Sequence, residues 1–146
     1  MNLSSHFTLA EFTASQAAAR DGLDNMPSPR QIDNMKRVAM ALELVREAID
    51  EPIIISSGFR SPIVNAAVGG AQNSAHTRGA AVDFIAPKFG TPFQLATRII
   101  KMGFAFDQLI YEYTWVHLAI EPPTRQQVLT LKHGGGYANG LMEDAR

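Results

Sequence analysis

Gln108-Leu109-Ile110-Tyr111-Glu112-Tyr113-Thr114-Trp115-Val116-His117-Leu118-Ala119-Ile120 places two short runs of strand-forming residues on either side of Tyr113-Thr114. Two residues between such runs is the spacing of a tight β-hairpin, although Tyr-Thr is not a favoured type I′ pair. Directly opposed residues of an antiparallel pair share a face, so pairing Glu112 with Trp115 and Ile110 with His117 sorts the stretch into two sets. Leu109, Tyr111, Val116, Leu118 and Ile120 make an almost wholly apolar face that should turn toward helices. Gln108, Ile110, Glu112, Trp115, His117 and Ala119 make the other, with a carboxylate diagonal to an imidazole and beside an indole. A solvated strand face would carry such residues, and so would the wall of a cleft.

The helices this hairpin needs lie upstream. Thr8-Leu9-Ala10-Glu11 is a capping box ahead of an Ala-rich run that ends near Gly22. Ser28-Pro29-Arg30-Gln31 repeats the logic with Pro at the first helical position, and Ile32, Met35, Ala39, Leu42, Val45 and Ile49 then follow the 3.6-residue period. Ile53-Ile54-Ile55 reads as a buried strand, Ser61-Pro62 as the start of a short helix to about Val68, and Ala80 to Ile85 as a second strand. Thr91-Pro92-Phe93-Gln94 is a third capping box, opening a helix to about Met102. Downstream, Pro122-Pro123 ends the hairpin, Gln127 to Lys132 suits an edge strand or an extended arm, and Gly134-Gly135-Gly136 introduces a mobile tail. The reading is one α+β domain over residues 1–133, with N-terminal helices packed on a small, mainly antiparallel sheet, and a tail over 134–146.

Composition narrows the function. The 146 residues are 46% hydrophobic and 18% charged, which excludes fibrous and disordered classes. A net charge of −1 offers no broad attraction to nucleic acid or anionic lipid, and no apolar run is long enough for membrane insertion. The first residues show no basic region followed by an apolar run, so no export signal is expected. With no Cys, any metal must be held by His and carboxylate.

Ser74-Ala75-His76-Thr77-Arg78-Gly79-Ala80-Ala81-Val82-Asp83 suggests such a site. His76 and Asp83 are too far apart for neighbouring helical turns, but a loop leading through Gly79 into a strand can bring them together. His117 would complete two His and one carboxylate, the ligand logic of a catalytic zinc with a position open to water. Other residues read as ordinary: His6 and His133 as surface, Met35, Met40 and Met102 as core filler. Ser57 and Ser74 do not sit in a nucleophile elbow, and Gly134-Gly135-Gly136 is not a phosphate loop.

Ser57-Gly58-Phe59-Arg60-Ser61-Pro62, Asn65, Gly69-Gly70, Ser74-Ala75-His76, Gly79 to Asp83 and Trp115-Val116-His117 together resemble the signature of the zinc D-Ala-D-Ala carboxypeptidase family of peptidoglycan peptidases. The likeness runs from about residue 5 to 120, and His6 to Phe12 resembles the opening of short phage and prophage members. It implies the hedgehog/D-Ala-D-Ala-peptidase type of α+β fold and zinc held by His76, Asp83 and His117. It also implies a carboxylate shortly before the last His as general base, for which Asp107 and Glu112 are the candidates; the face argument selects Glu112. Zinc lowers the pKa of its bound water to roughly 7, within reach of such a base. Arg60 resembles the family Arg that meets the substrate carboxylate or the developing oxyanion. Ser74, Gln72 and Trp115 are expected to contact substrate. Where many carboxypeptidases of the family have His-x-His, this chain has Trp115-Val116-His117, which leaves open whether a terminal D-Ala or a cross-link is cleaved. The expected partner is bacterial peptidoglycan, reached after cytoplasmic synthesis by release or as part of a phage particle. The alternative is a zinc-binding, non-hydrolytic phage structural or wall-binding module on the same fold.

Overall fold

A computed structural model describes all 146 residues. Its helices begin where the sequence supplies caps. Thr8 and Glu11 close a capping box on α1 (Leu9–Thr13), Ser28 and Gln31 on α3 (Pro29–Ile49), and Thr91 and Gln94 on α5 (Pro92–Met102). The Ala-rich run is two helices rather than one. Ser15 accepts from the Ala18 amide and caps α2 (Gln16–Asp21), while Ala14 is extended, so the Ser15 hydroxyl starts a new helix instead of continuing the old one. Helix α4 (Pro62–Ala67) and a single 3₁₀ turn (Ala75–Arg78) lie between the first two strands.

Six strands form one sheet: β1 (Ile54–Ser57), β2 (Ala81–Ile85), β3 (Gln108–Tyr111), β4 (Val116–Ala119), β5 (Gln127–Leu131) and β6 (Tyr137–Asn139), in the order β1-β2-β4-β3-β5-β6. All neighbours are antiparallel except β3 and β5. The fold is α+β, of the type expected. In the hairpin, Ile110 pairs with His117 and the Glu112 amide donates to the Trp115 carbonyl, as the register argument required. The turn itself is closed by a 2.7 Å bond from the Thr114 amide to the Glu112 carbonyl, with Tyr113 at φ 62°. This is a γ-turn, not the primed β-turn common in hairpins.

The sheet's two faces differ as the alternation of side chains demands. Val82, Phe84, Leu109, Val116 and Leu118 are fully buried against Met35, Leu42, Leu95 and Ile99 of α3 and α5. Parity explains two departures from expectation. Ile54 pairs with Ile85 on the face away from the helices and is 52% exposed, and Met40 points outward from α3 at 59% exposure, five residues round the helix from buried Met35. β5 is an interior strand, because residues 134–146 turn back and pair as β6. Gly135 and Gly136 take φ 96° and 74° in that turn, a conformation other residues resist. Beyond it, Ala145 is buried, donates to the Tyr113 hydroxyl at 2.9 Å and accepts from the His133 amide.

Candidate metal centre

The face of the sheet away from α3 and α5 carries the chemistry. Asp83 of β2 pairs with His117 of β4, which puts carboxylate and imidazole side by side on that face. His76 arrives from the 3₁₀ turn, whose N-cap is Ser74: the Ser74 hydroxyl accepts from the His76 amide at 3.2 Å. Asp83 Oδ1 lies 2.9 Å from His117 Nδ1 and 3.2 Å from His76 Nε2. All three side chains are buried or nearly so. Burial opposes the charge on Asp83, yet the two imidazoles beside it hold its carboxyl well below the usual range.

One atom fixes how His76 can act. Its Nδ1 donates to the Gly58 carbonyl at 2.7 Å, so its neutral tautomer keeps the lone pair on Nε2, facing Asp83. Gly58 must be glycine for this approach: a Cβ there would stand 2.4 Å from the Phe12 carbonyl oxygen, which accepts from the next amide, Phe59. The donor set, two imidazole nitrogens and a carboxylate oxygen within 4.8 Å of one another, can hold a metal ion. Ligands 2.0–2.1 Å from a tetrahedral zinc stand roughly 3.3 Å apart, close to the spacings found. The residues therefore fit zinc.

A cleft of about 530 Å³ opens over this cluster. Arg60, Ser74, Glu112 and Trp115 line it beside His76, Asp83 and His117, whereas Gln72 does not. Glu112 is held by its neighbour: the Trp115 indole N–H donates to Oε2 at 2.8 Å, so Trp115 orients the carboxylate as well as walling the cleft. Burial first, then the charge of Asp83, pushes the Glu112 carboxyl up. Asp107, the other candidate base, is occupied by Arg125, whose Nε and Nη2 reach its two oxygens at 3.0 and 2.9 Å and whose backbone amide adds a third bond. Arg60 has its Nε buried without a partner, beside a cleft lined by the carboxylates of Asp83, Asp107, Glu112 and Glu121, of which Asp83 and Glu112 act on its charge.

His6 and His133 lie elsewhere, the first paired with Glu43 and the second stacked on Tyr113. Three features had no signal in the sequence. They are the Gly58 carbonyl, the Arg78–Glu121 ion pair that separates this cleft from a larger one of about 900 Å³ along α3, and Tyr137, which reaches the cleft from β6.

Residues 5–119 match the sequence profile of the family described as Peptidase M15. The chain belongs to this family. The match contains every ligand of the candidate centre together with Arg60, Glu112 and Trp115, and stops at the end of β4. No curated protein matches the chain. Family membership supports a metallopeptidase, and the family acts on peptidoglycan. No helix is long and apolar enough to cross a membrane.

Proposed function

We propose that the protein is a zinc peptidase that hydrolyses peptide bonds in the stem peptides or cross-links of bacterial peptidoglycan. The observation that carries this reading is the gathering of His76, Asp83 and His117 with Glu112 and Arg60 in one cleft. His76 through Nε2, Asp83 through a carboxylate oxygen and His117 through Nδ1 would hold the ion. Zinc, when bound, supplies a Lewis acid that polarises a carbonyl and acidifies water at neutral pH.

The chain's own groups do the rest. Glu112, with Oε2 engaged by Trp115, has Oε1 free to take a proton from the attacking water and to return it to the amine as the carbon–nitrogen bond breaks. Arg60 lines the cleft, and the terminal nitrogens of its guanidinium, free of any partner in the protein, would donate to a substrate carboxylate or to the oxyanion that develops on the carbonyl. Trp115 presents an apolar wall where a second imidazole would stand in a His-x-His sequence. Ser74 serves chiefly to cap the turn that delivers His76. A metal-binding module without hydrolytic function has no use for a base held in this position.

Turnover of purified peptidoglycan tests the reading. The zinc-loaded protein should release soluble peptide fragments, a chelator should stop release, and added zinc should restore it. Zinc-loaded protein that binds the wall material yet releases nothing would leave the wall-binding alternative in its place.

A further inference from the structure

The residues after the family match add two strands to the sheet, and with them one aromatic side chain on the site face. Pairing register places it. One row across the sheet runs Asp83, His117, Ile110, Leu129, Asn139, and the partners in each pair share a face. Tyr137 lies two residues from Asn139 on β6, hence on that same face, in the row of Leu131 and one step toward Glu112 and the hairpin turn. Its side chain lines the cleft and is 52% exposed. Partial burial first, then the charges of Glu112 and Asp83, push its phenol up. The chain's other tyrosines are committed elsewhere: Tyr111 packs on Phe93 on the core face, and the Tyr113 hydroxyl is bound to the Ala145 backbone.

β1 and β6 are the two edges of the sheet, and Arg60 follows β1 directly. Arg60 and Tyr137 therefore reach the cleft from opposite sides, with the metal cluster and Glu112 between them. A peptide that touches both therefore runs across the metal cluster as extended chain, rising about 3.3 Å per residue. We propose that Tyr137 is a substrate-contacting residue that grips a stem peptide away from the scissile bond. Its ring lies against the extended peptide and its hydroxyl donates to a peptide carbonyl. The proposal rests on the peptidase reading of the site and deepens it: the segment beyond residue 119 supplies a contact to the stem peptide away from the bond that is cleaved.

The test uses the zinc-loaded full chain as wild type, Tyr137→Phe and Tyr137→Ala, and a synthetic stem pentapeptide ending in D-Ala-D-Ala as probe. Trp115, the chain's one tryptophan, lies in the cleft and reports binding by its fluorescence. The dissociation constant should rise about 3–10-fold for Tyr137→Phe, the worth of one hydrogen bond, and further for Tyr137→Ala. Zinc content and melting temperature should be unchanged, as expected for a half-exposed residue on an edge strand, and kcat on peptidoglycan should change less than about twofold while KM rises. Tyr137→Ala binding the pentapeptide within twofold of wild type would overturn the proposal, as would a loss of kcat at unchanged affinity. Wild type that binds the pentapeptide without cleaving anything would overturn the hydrolytic reading alone, since the affinity ratios still decide the role of Tyr137. Wild type that binds no pentapeptide would overturn the role given to Tyr137, while peptide release from peptidoglycan decides the hydrolytic reading separately.

Discussion

At the scale of single residues, His76 has one nitrogen to offer a metal, because the other is engaged by the Gly58 carbonyl. His117 faces the same Asp83 oxygen from the neighbouring strand. Neither has a substitute nearby, since His6 and His133 lie outside the cleft. His76→Ala and His117→Ala should therefore each lose the single zinc that elemental analysis is expected to find in wild type; full occupancy in either would remove that residue from the site. Asp107 has a different fate. Its bonds to Arg125, above all the side-chain pair, hold its carboxyl below the ordinary range, so its native pKa is depressed relative to the unfolded chain. A depressed carboxyl stabilises the fold above the unfolded pKa of about 4 and loses that contribution as pH falls through the native value. Asp107→Asn should lower the melting temperature at pH 7 while keeping most activity, and its deficit against wild type should shrink as pH drops below about 4. A deficit independent of pH would show that the charge of Asp107 contributes nothing.

At the scale of elements, the caps and periods of the helices were legible because they are local chemistry. Thr8, Ser28 and Thr91 each announce a helix with their own hydroxyl and a partner three residues on. The hairpin register was legible because alternation in Gln108 to Ile120 leaves one apolar face, and a slip of one residue would exchange the faces. The strand β6 was not. Gly134-Gly135-Gly136 looks like a linker in sequence, and only the pairing of Leu131 with Tyr137 makes it a turn. The role of Gly58 was hidden for a similar reason: its constraint is the Phe12 carbonyl, forty-six residues earlier. Gly58→Ala should cost about 1–3 kcal/mol of stability in urea titration, the usual penalty of overpacking. Because the Gly58 carbonyl accepts from His76 Nδ1 and so orients that ring, zinc affinity should fall roughly 10–100-fold. Unaltered zinc affinity would mean that the Gly58 contact does not set the His76 tautomer.

At the scale of the whole molecule, the site exists because one sheet face is given to the core and the other to chemistry. Helices α3 and α5 bury the first against Phe84 and Leu118, which frees the second to carry Asp83, His117 and Glu112 without damage to packing. Arg60 and His76 come from the connections between β1 and β2, joined to each other by the bond from the Arg60 amide to the His76 carbonyl. The matched family span covers all of this machinery, while the rest of the chain completes the sheet. In the proposed reaction Glu112 takes the proton of the attacking water beside a zinc held by His76, Asp83 and His117. Its most direct test is the rate of peptide release from peptidoglycan by wild type and Glu112→Gln at equal, full zinc occupancy. The rate should fall by roughly 10²-fold or more with unchanged zinc content and melting temperature, because Gln keeps an acceptor for the Trp115 indole but cannot take a proton. Equal rates for the two proteins would contradict it.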